Sequence, residues 1–206
     1  MPAGARRYLP LMVVVLGLWF AGDALPAPSD PPDPITLARQ SEQLGWSQPA
    51  DNAAMAMDVF NRVNDERAAR DLPPLVWHHG LATLAGNWSV TMIEEVYEHS
   101  PERYLAHPDF IAAGENIAMG QRDTAELHVG WMESDGHRAN ILLPEFTAMG
   151  VGIVCRADGR MWATQVFGVG RGAAVSAEPA MPPAEPIVRR DGGIACPRTE
   201  RLFPFG

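Results

Sequence analysis

The chain has little cysteine, few basic residues and, beyond its first twenty positions, no long apolar run. Cys155 and Cys196 are the only cysteines among 206 residues, too few for a disulfide-dense scaffold or a four-cysteine zinc cluster. Sixteen basic against 25 acidic residues leave a net charge of −9, a balance that does not point to nucleic acid or anionic lipid headgroups as partners. No segment after Phe20 is long or apolar enough to cross a bilayer, which takes roughly 20 residues. Two compact catalytic signatures are also missing: there is no HExxH pair and no Gly-x-Ser-x-Gly nucleophile elbow. No internal repeat is present.

What is present begins with MPAGARRYLPLMVVVLGLWFAGDALPAP. Arg6 and Arg7 precede the apolar stretch Leu9 to Phe20, and the small-x-small triplet Gly22-Asp23-Ala24 follows. That is the pattern of a secretory signal peptide over residues 1–24, with cleavage expected near Ala24 and retention as an anchor the alternative. Cleavage removes two arginines and one aspartate, a net +1, so −9 becomes −10. No stable membrane span then remains. An exported chain sits where disulfides persist, so Cys155 and Cys196 are expected to pair, two free thiols being the alternative. Closing a loop of about 40 residues is worth at most about 4 kcal/mol in the chain-entropy model.

Composition divides the chain further. A proline-rich linker spans residues 25–50, with LPAPSDPPDP at its start, and a proline-rich tail spans 171–206, containing AEPAMPPAEP. Between them, residues 51–170 form the folded domain, and 47% apolar with 20% charged residues is a globular balance. A helix is predicted from about Asp51 to Arg70, with Ala56, Phe60, Val63 and Arg67 on one side, Val59 flanking, and Asp51 or Asn52 capping it. LPPLVW runs extended. A second helix, with Leu81, Leu84, Ala85, Trp88 and Met92 on one face, is predicted from near Gly80 to near Glu98. A third covers Asp123 or Thr124 to Ser134, and GHRANIL forms a short fourth after the Gly136 break. MGVGIVCRADGRMWATQVFG then reads as a β-hairpin around Ala157-Asp158-Gly159. Helices first and a hairpin last predict an α+β layered domain, an antiparallel sheet covered by helices.

Three residues carry the candidate chemistry, two of them at predicted breaks. His99 stands where the second helix ends, His137 follows Ser134-Asp135-Gly136, and Glu115 lies in the loop-like stretch GENIAMG. If they converge, two imidazoles and a carboxylate make a Zn²⁺ set with a position open for water. Proton transfer without metal, or a buried hydrogen-bonded knot, would use the same trio. Spacings of 16 and 22 residues do not choose between these. His78 and His79 are read as solvated loop residues, His107 before Pro108 is given no role, and His128 is expected to pack at the cavity wall or against its helix.

NRVNDERAARDLPPLVWHHGLATLAGNWS, then HS, GENIAMG, WMESDGHRANIL, MGVGIV and WATQVFG occur in one order between about Met57 and Gly168. Together they resemble the CAP superfamily of cysteine-rich secretory, antigen 5 and pathogenesis-related proteins, its bacterial branch most of all. The resemblance implies an α-β-α sandwich with a central antiparallel sheet. It also implies a cavity of two histidines and two acids, matched here by His99, Glu115 and His137. The fourth position departs from the family pattern: Ser134 stands where an acid is usual. Glu133 is one residue off, about 100° around the helix, so it faces elsewhere. Asn64 and Arg67 resemble the family's Asn and Arg on the first helix and are expected to be structural, Arg138 and Asn140 are expected to fix the short helix against the cavity loops, and Gln165 is expected to reach the pocket from the hairpin.

The reading that follows is a secreted, non-enzymatic module, extracellular or in the cell envelope, that binds a small apolar ligand or an envelope component. It requires no cofactor, and Zn²⁺ is the ion that His99, His137 and Glu115 could hold. A Zn²⁺-dependent hydrolase using the same cavity is the first alternative, weakened by loss of one carboxylate. A structural envelope protein is the second.

Overall fold

The computed structural model describes residues 52–172 and 192–198. The expected signal peptide, the linker and most of the tail lie outside the described residues. Along the chain run α1 (Ala53–Ala68), β1 (Val76–Trp77), α2 (His79–Glu94), a 3₁₀ turn (Glu102–Leu105), β2 (Phe110–Met119), α3 (Thr124–Glu133), α4 (Asp135–Leu142), β3 (Ala148–Cys155) and β4 (Met161–Gly170). The four strands make one sheet in the order β1-β3-β4-β2.

Strand alternation divides the core into two layers. Met149, Val151, Ile153 and Cys155 of β3 face α1, α3 and α4, packing with Val59, Val63, Leu127, Trp131 and Ile141. The intervening residues face α2, where Val154 meets Val90 and Ala148 joins Leu81 and Ala85. Two glycines set how close α2 comes. A Cβ on Gly150 would sit 2.0 Å from the Ala82 nitrogen, and one on Gly152 would sit 2.2 Å from the Gly86 nitrogen. Glycine at alternate positions of one strand therefore lets a helix backbone rest on a strand backbone. Helices on both faces of the sheet give the expected α-β-α sandwich.

Several local expectations are corrected. The sheet is antiparallel in its three long strands, but β1 pairs with β3 in parallel through Val76↔Ala148 and Trp77↔Met149. GENIAMG is no loop: all but its last glycine form the second half of β2, paired to β4 from Gly114↔Phe167 to Met119↔Trp162. Asn52 makes no side-chain cap to α1, and its amide donates instead to the Ile153 carbonyl at 2.9 Å. On α1 it is Val59 that is fully buried and Phe60 that lies at the edge, against Trp77. The second helix stops at Glu94, short of Glu98. The break between α3 and α4 falls at Ser134, ahead of Gly136.

Cys155 and Cys196 are bonded, as the export reading expects. The bond holds residues 192–198 against the start of α3, where Cys196 N–H donates to the Arg122 carbonyl at 2.9 Å and Ile194 N–H to Thr124 Oγ1 at 2.8 Å. Asp123 caps α3, accepting from the Ala125 and Glu126 amides. Asn64 exchanges two hydrogen bonds with the Leu75 backbone. Arg67, fully buried, donates to the carbonyls of Pro73, Ile141, Leu143 and Phe146, and both residues are therefore structural. Burial without a carboxylate partner pushes the Arg67 guanidinium down to about 10.

Candidate ligand and metal cavity

Because β2 is extended, Glu115 and Asn116 point to opposite faces of the sheet. Glu115 meets the segment that follows α2. That segment is held in place by the Trp88 indole donating to the Glu98 carbonyl at 3.0 Å and the Tyr97 hydroxyl donating to the Ile117 carbonyl at 3.3 Å. Glu115 Oε1 lies 2.9 Å from His99 Nδ1 and accepts from the Ser100 amide at 2.9 Å. A carboxylate only accepts, so His99 donates from Nδ1 and its Nε2 is left facing outward. The carboxyl is 4% exposed and the imidazole 33%, so the pair has a buried end and an open end.

His137 comes from α4. Burial first, and the neighbouring His99 second, push its imidazole down to about 4, so it is neutral at pH 7. Its backbone carbonyl accepts from Asn116 Nδ2 at 3.1 Å. Asn116 also donates to Gln165 Oε1 at 2.9 Å, and Asn140 Nδ2 donates to Asn116 Oδ1 at 2.9 Å and to the Glu115 carbonyl at 3.1 Å. This buried amide network locks α4 to β2 and β4, and thereby sets His137 relative to Glu115. Arg138 does its fixing elsewhere, donating to the Met132 carbonyl and to Asp135. Three polar atoms around this pair, Ser100 Oγ, Glu115 Oε2 and His137 Nδ1, are enclosed without a protein partner.

The expected site residues thus separate into groups. His99 and Glu115 touch, and His137 is close enough to feel His99. The ligand atoms of all three do not lie within 4.8 Å of one another. Gln165 belongs to the amide network, on the Asn116 face of the sheet and away from Glu115. Ser134 joins α3 to α4 through its backbone, without a side-chain cap. Glu133 is exposed on the outer side, beside Gln121 and Gly130, as its helical offset predicts. His128 is buried, with Nε2 at 3.5 Å from Glu66 Oε1. Burial would raise the Glu66 carboxyl, but His128 and Arg70 outweigh it and hold it below the usual range.

The one set of three metal-type ligands within 4.8 Å among the described residues is His78, His107 and Asp109. Their grouping has little trace in the sequence, because His78 is far from the other two along the chain and only the short spacing of His107 and Asp109 hints at a shared site. Beside them, a cleft lined by Leu105, Phe110, Ala112 and Ala113 holds about 30 Å³. Ligand pockets for small molecules run to roughly 300–1,000 Å³, so that cleft does not accommodate a sterol or acyl chain.

Comparison with known proteins agrees with this architecture. The cysteine-rich secretory protein family, CAP, matches residues 60–167, just over half of the chain. The uncharacterized protein YkwD of Bacillus subtilis is 36% identical over 131 residues, covering 59% of this chain and 50% of that protein. The uncharacterized membrane protein YlbC of the same organism is 33% identical over 104 residues, covering 46% and 30%. This chain therefore spans half or less of those relatives. Among solved structures, a cysteine-rich secretory protein of Staphylococcus aureus is similar at 22% identity and TM-score 0.50, covering 57% of this chain and 39% of that one. An outer surface protein of Borrelia burgdorferi is similar at 15% identity and TM-score 0.51, covering 56% and 92%. At these identities the structures speak for the fold alone.

Proposed function

The chain belongs to the cysteine-rich secretory protein family, CAP, and on that premise we propose that it is an extracellular, non-catalytic binding module whose cavity takes up a divalent cation such as Zn²⁺ through His99 and His137. The observation that carries the reading is the 2.9 Å contact of His99 Nδ1 with Glu115 Oε1. A carboxylate on the far nitrogen of an imidazole fixes its tautomer and raises its basicity as a metal ligand. Glu115 is then the group that aligns His99 rather than a direct ligand, which accounts for a trio whose ligand atoms do not all gather within 4.8 Å. His137 supplies a neutral imidazole at physiological pH, the form that binds metal. The partnerless Glu115 Oε2 and Ser100 Oγ suit water molecules on the ion.

A setting outside the cell follows from the disulfide, which persists in oxidising compartments, and from the expected signal peptide. Membership of the cysteine-rich secretory protein family supports the same setting. No helix among the described residues is long and apolar enough to cross a membrane. We do not extend the reading to hydrolysis: Ser134 offers no carboxylate where a second acid would stand, and Glu133 faces solvent. An envelope component is the partner class that this setting favours, and the small cleft beside Phe110 argues against a lipid at that place.

Calorimetric titration of the full chain with Zn²⁺ tests the cavity. One equivalent is expected to disappear in His99→Ala and in His137→Ala, and to weaken roughly 10- to 100-fold in Glu115→Gln. Zinc binding indifferent to both histidine substitutions would overturn the reading.

A further inference from the structure

Outside the cavity, His78, His107 and Asp109 come together where β1 passes into α2 and the chain enters β2. Backbone bonds fix all three: the Asp109 carbonyl accepts from the Arg171 N–H just beyond β4 at 3.3 Å. His78 N–H donates to the Met149 carbonyl of β3 at 3.0 Å. The turn from His107 to Phe110 closes by Phe110 N–H donating to the His107 carbonyl at 3.1 Å, and the Arg171 guanidinium at the end of β4 donates to the Pro108 carbonyl at 2.6 Å. The two imidazoles meet edge to face, 4.9 Å between centroids, and both pack on Phe110. Gly80 makes room for this: a Cβ there would stand 2.5 Å from His107 Nε2.

We propose that His78, His107 and Asp109 form a surface site for a borderline divalent cation such as Zn²⁺, separate from the cavity. Bonds of about 2.1 Å at the tetrahedral angle set donor atoms roughly 3.4 Å apart. Here Asp109 Oδ2 lies 3.2 Å from His78 Nε2 and 3.7 Å from His107 Nδ1, distances that bracket that edge. Two imidazoles and one carboxylate suit zinc and its neighbours in the first transition row better than calcium or magnesium. The carboxyl is 63% exposed and the imidazoles 28% and 20%, so water completes the coordination from the solvent side.

The site has a built-in readout. His78 is the N-cap of α2 and its Nδ1 accepts from the Leu81 amide at 3.3 Å, which puts the ring proton on Nε2, toward Asp109. Coordination through Nε2 needs the other tautomer, with the proton on Nδ1. Binding therefore gives up that cap bond and changes the surroundings of the Leu81 amide. His107 already has the tautomer needed, since its Nδ1 accepts from the Asp109 amide at 3.3 Å, and coordination through Nδ1 displaces that bond as well.

The test is a calorimetric titration of the full chain with Zn²⁺ alone, together with amide NMR at Leu81. One zinc equivalent is expected to survive His99→Ala and to weaken at least tenfold in Asp109→Asn and in His107→Ala. Asp109 is exposed, so its variant keeps the fold intact if His107→Ala does not. The Leu81 amide signal is expected to move on zinc addition in the wild type and in His99→Ala, and to stay in place in Asp109→Asn. Wild-type titration behaviour in Asp109→Asn, no zinc retained by His99→Ala, or a stationary Leu81 signal with zinc bound to that variant would each overturn the proposal. Failure of the cavity reading has the opposite signature: no equivalent sensitive to His99, with the Asp109-sensitive one intact.

Discussion

Burial and the nearby His99 hold the His137 imidazole at about 4, whereas an unfolded chain titrates it near 6.5. Between those values the unfolded state binds the additional proton. Stability therefore rises with pH across the window from 4 to 6.5 and is lost as pH falls through it. The full difference is about 3 kcal/mol as an upper figure, since part of the ring is reached by solvent. Urea unfolding at pH 7 and pH 4.5 is expected to show wild type losing markedly more stability than His137→Gln, and equal losses would refute the assignment. His99 and His137 stand out in the sequence because each sits in a short motif beside the end of a helix, and Glu115 stands out by its GEN motif although it lies inside β2. Their roles are less so. That Glu115 aligns His99 depends on the Ser100 amide sharing Oε1, which only the folded turn arranges. His78, His107 and Asp109 are illegible as a group because β1, β2 and the end of β4 bring them together over a long stretch of chain.

Elements succeed or fail here on backbone approach. Since a Cβ at Gly150 or Gly152 would enter the backbone of α2, Gly150→Ala and Gly152→Ala are each expected to cost about 3 kcal/mol or more, the upper end of overpacking. Gly130 lies exposed in α3, where an added Cβ would meet nothing nearer than Gln121 Nε2 at 4.0 Å. Gly130→Ala is expected to stabilise by about 0.5–1 kcal/mol through helix propensity. Denaturant midpoints moving in the same direction for these glycines would contradict the packing account. The same contrast explains what can be read ahead of the structure. Helical periodicity in α1, α2 and α3 and β-branched alternation in the hairpin are local signals, and they place these elements to within a few residues. The second half of β2 is rich in residues that disfavour strands, Gly114, Glu115 and Asn116 among them, and becomes extended because β4 pairs with it along its whole length. The parallel pairing of β1 is likewise tertiary in origin, two residues long and without a periodic trace.

At the scale of the whole molecule, the disulfide joins two regions with different duties. Cys155 ends β3 in the core, and Cys196 carries residues 192–198 across the start of α3, where Ile194 and Cys196 bond to Thr124 and Arg122. None of these bonds reaches His99, Glu115 or His137, so the clasp and the cavity should be separable by experiment. The sequence separation of 41 residues sets an entropic contribution of about 4 kcal/mol, and measured bridges commonly deliver about 2–4. The double variant Cys155→Ala, Cys196→Ala is therefore expected to lose about 2–4 kcal/mol in urea unfolding. Hydrogen exchange at the Ile194 and Cys196 amides should accelerate toward that of an open chain, because without the covalent tie a few hydrogen bonds do not hold a short segment in place. Zinc affinity at the cavity is expected to stay within about twofold of wild type at a temperature where the variant remains folded, since additivity holds for sites that share no partners. A large loss of zinc affinity in that variant would show that the tail shapes the cavity after all, through α3 and the α3–α4 junction at Ser134 that leads directly to His137.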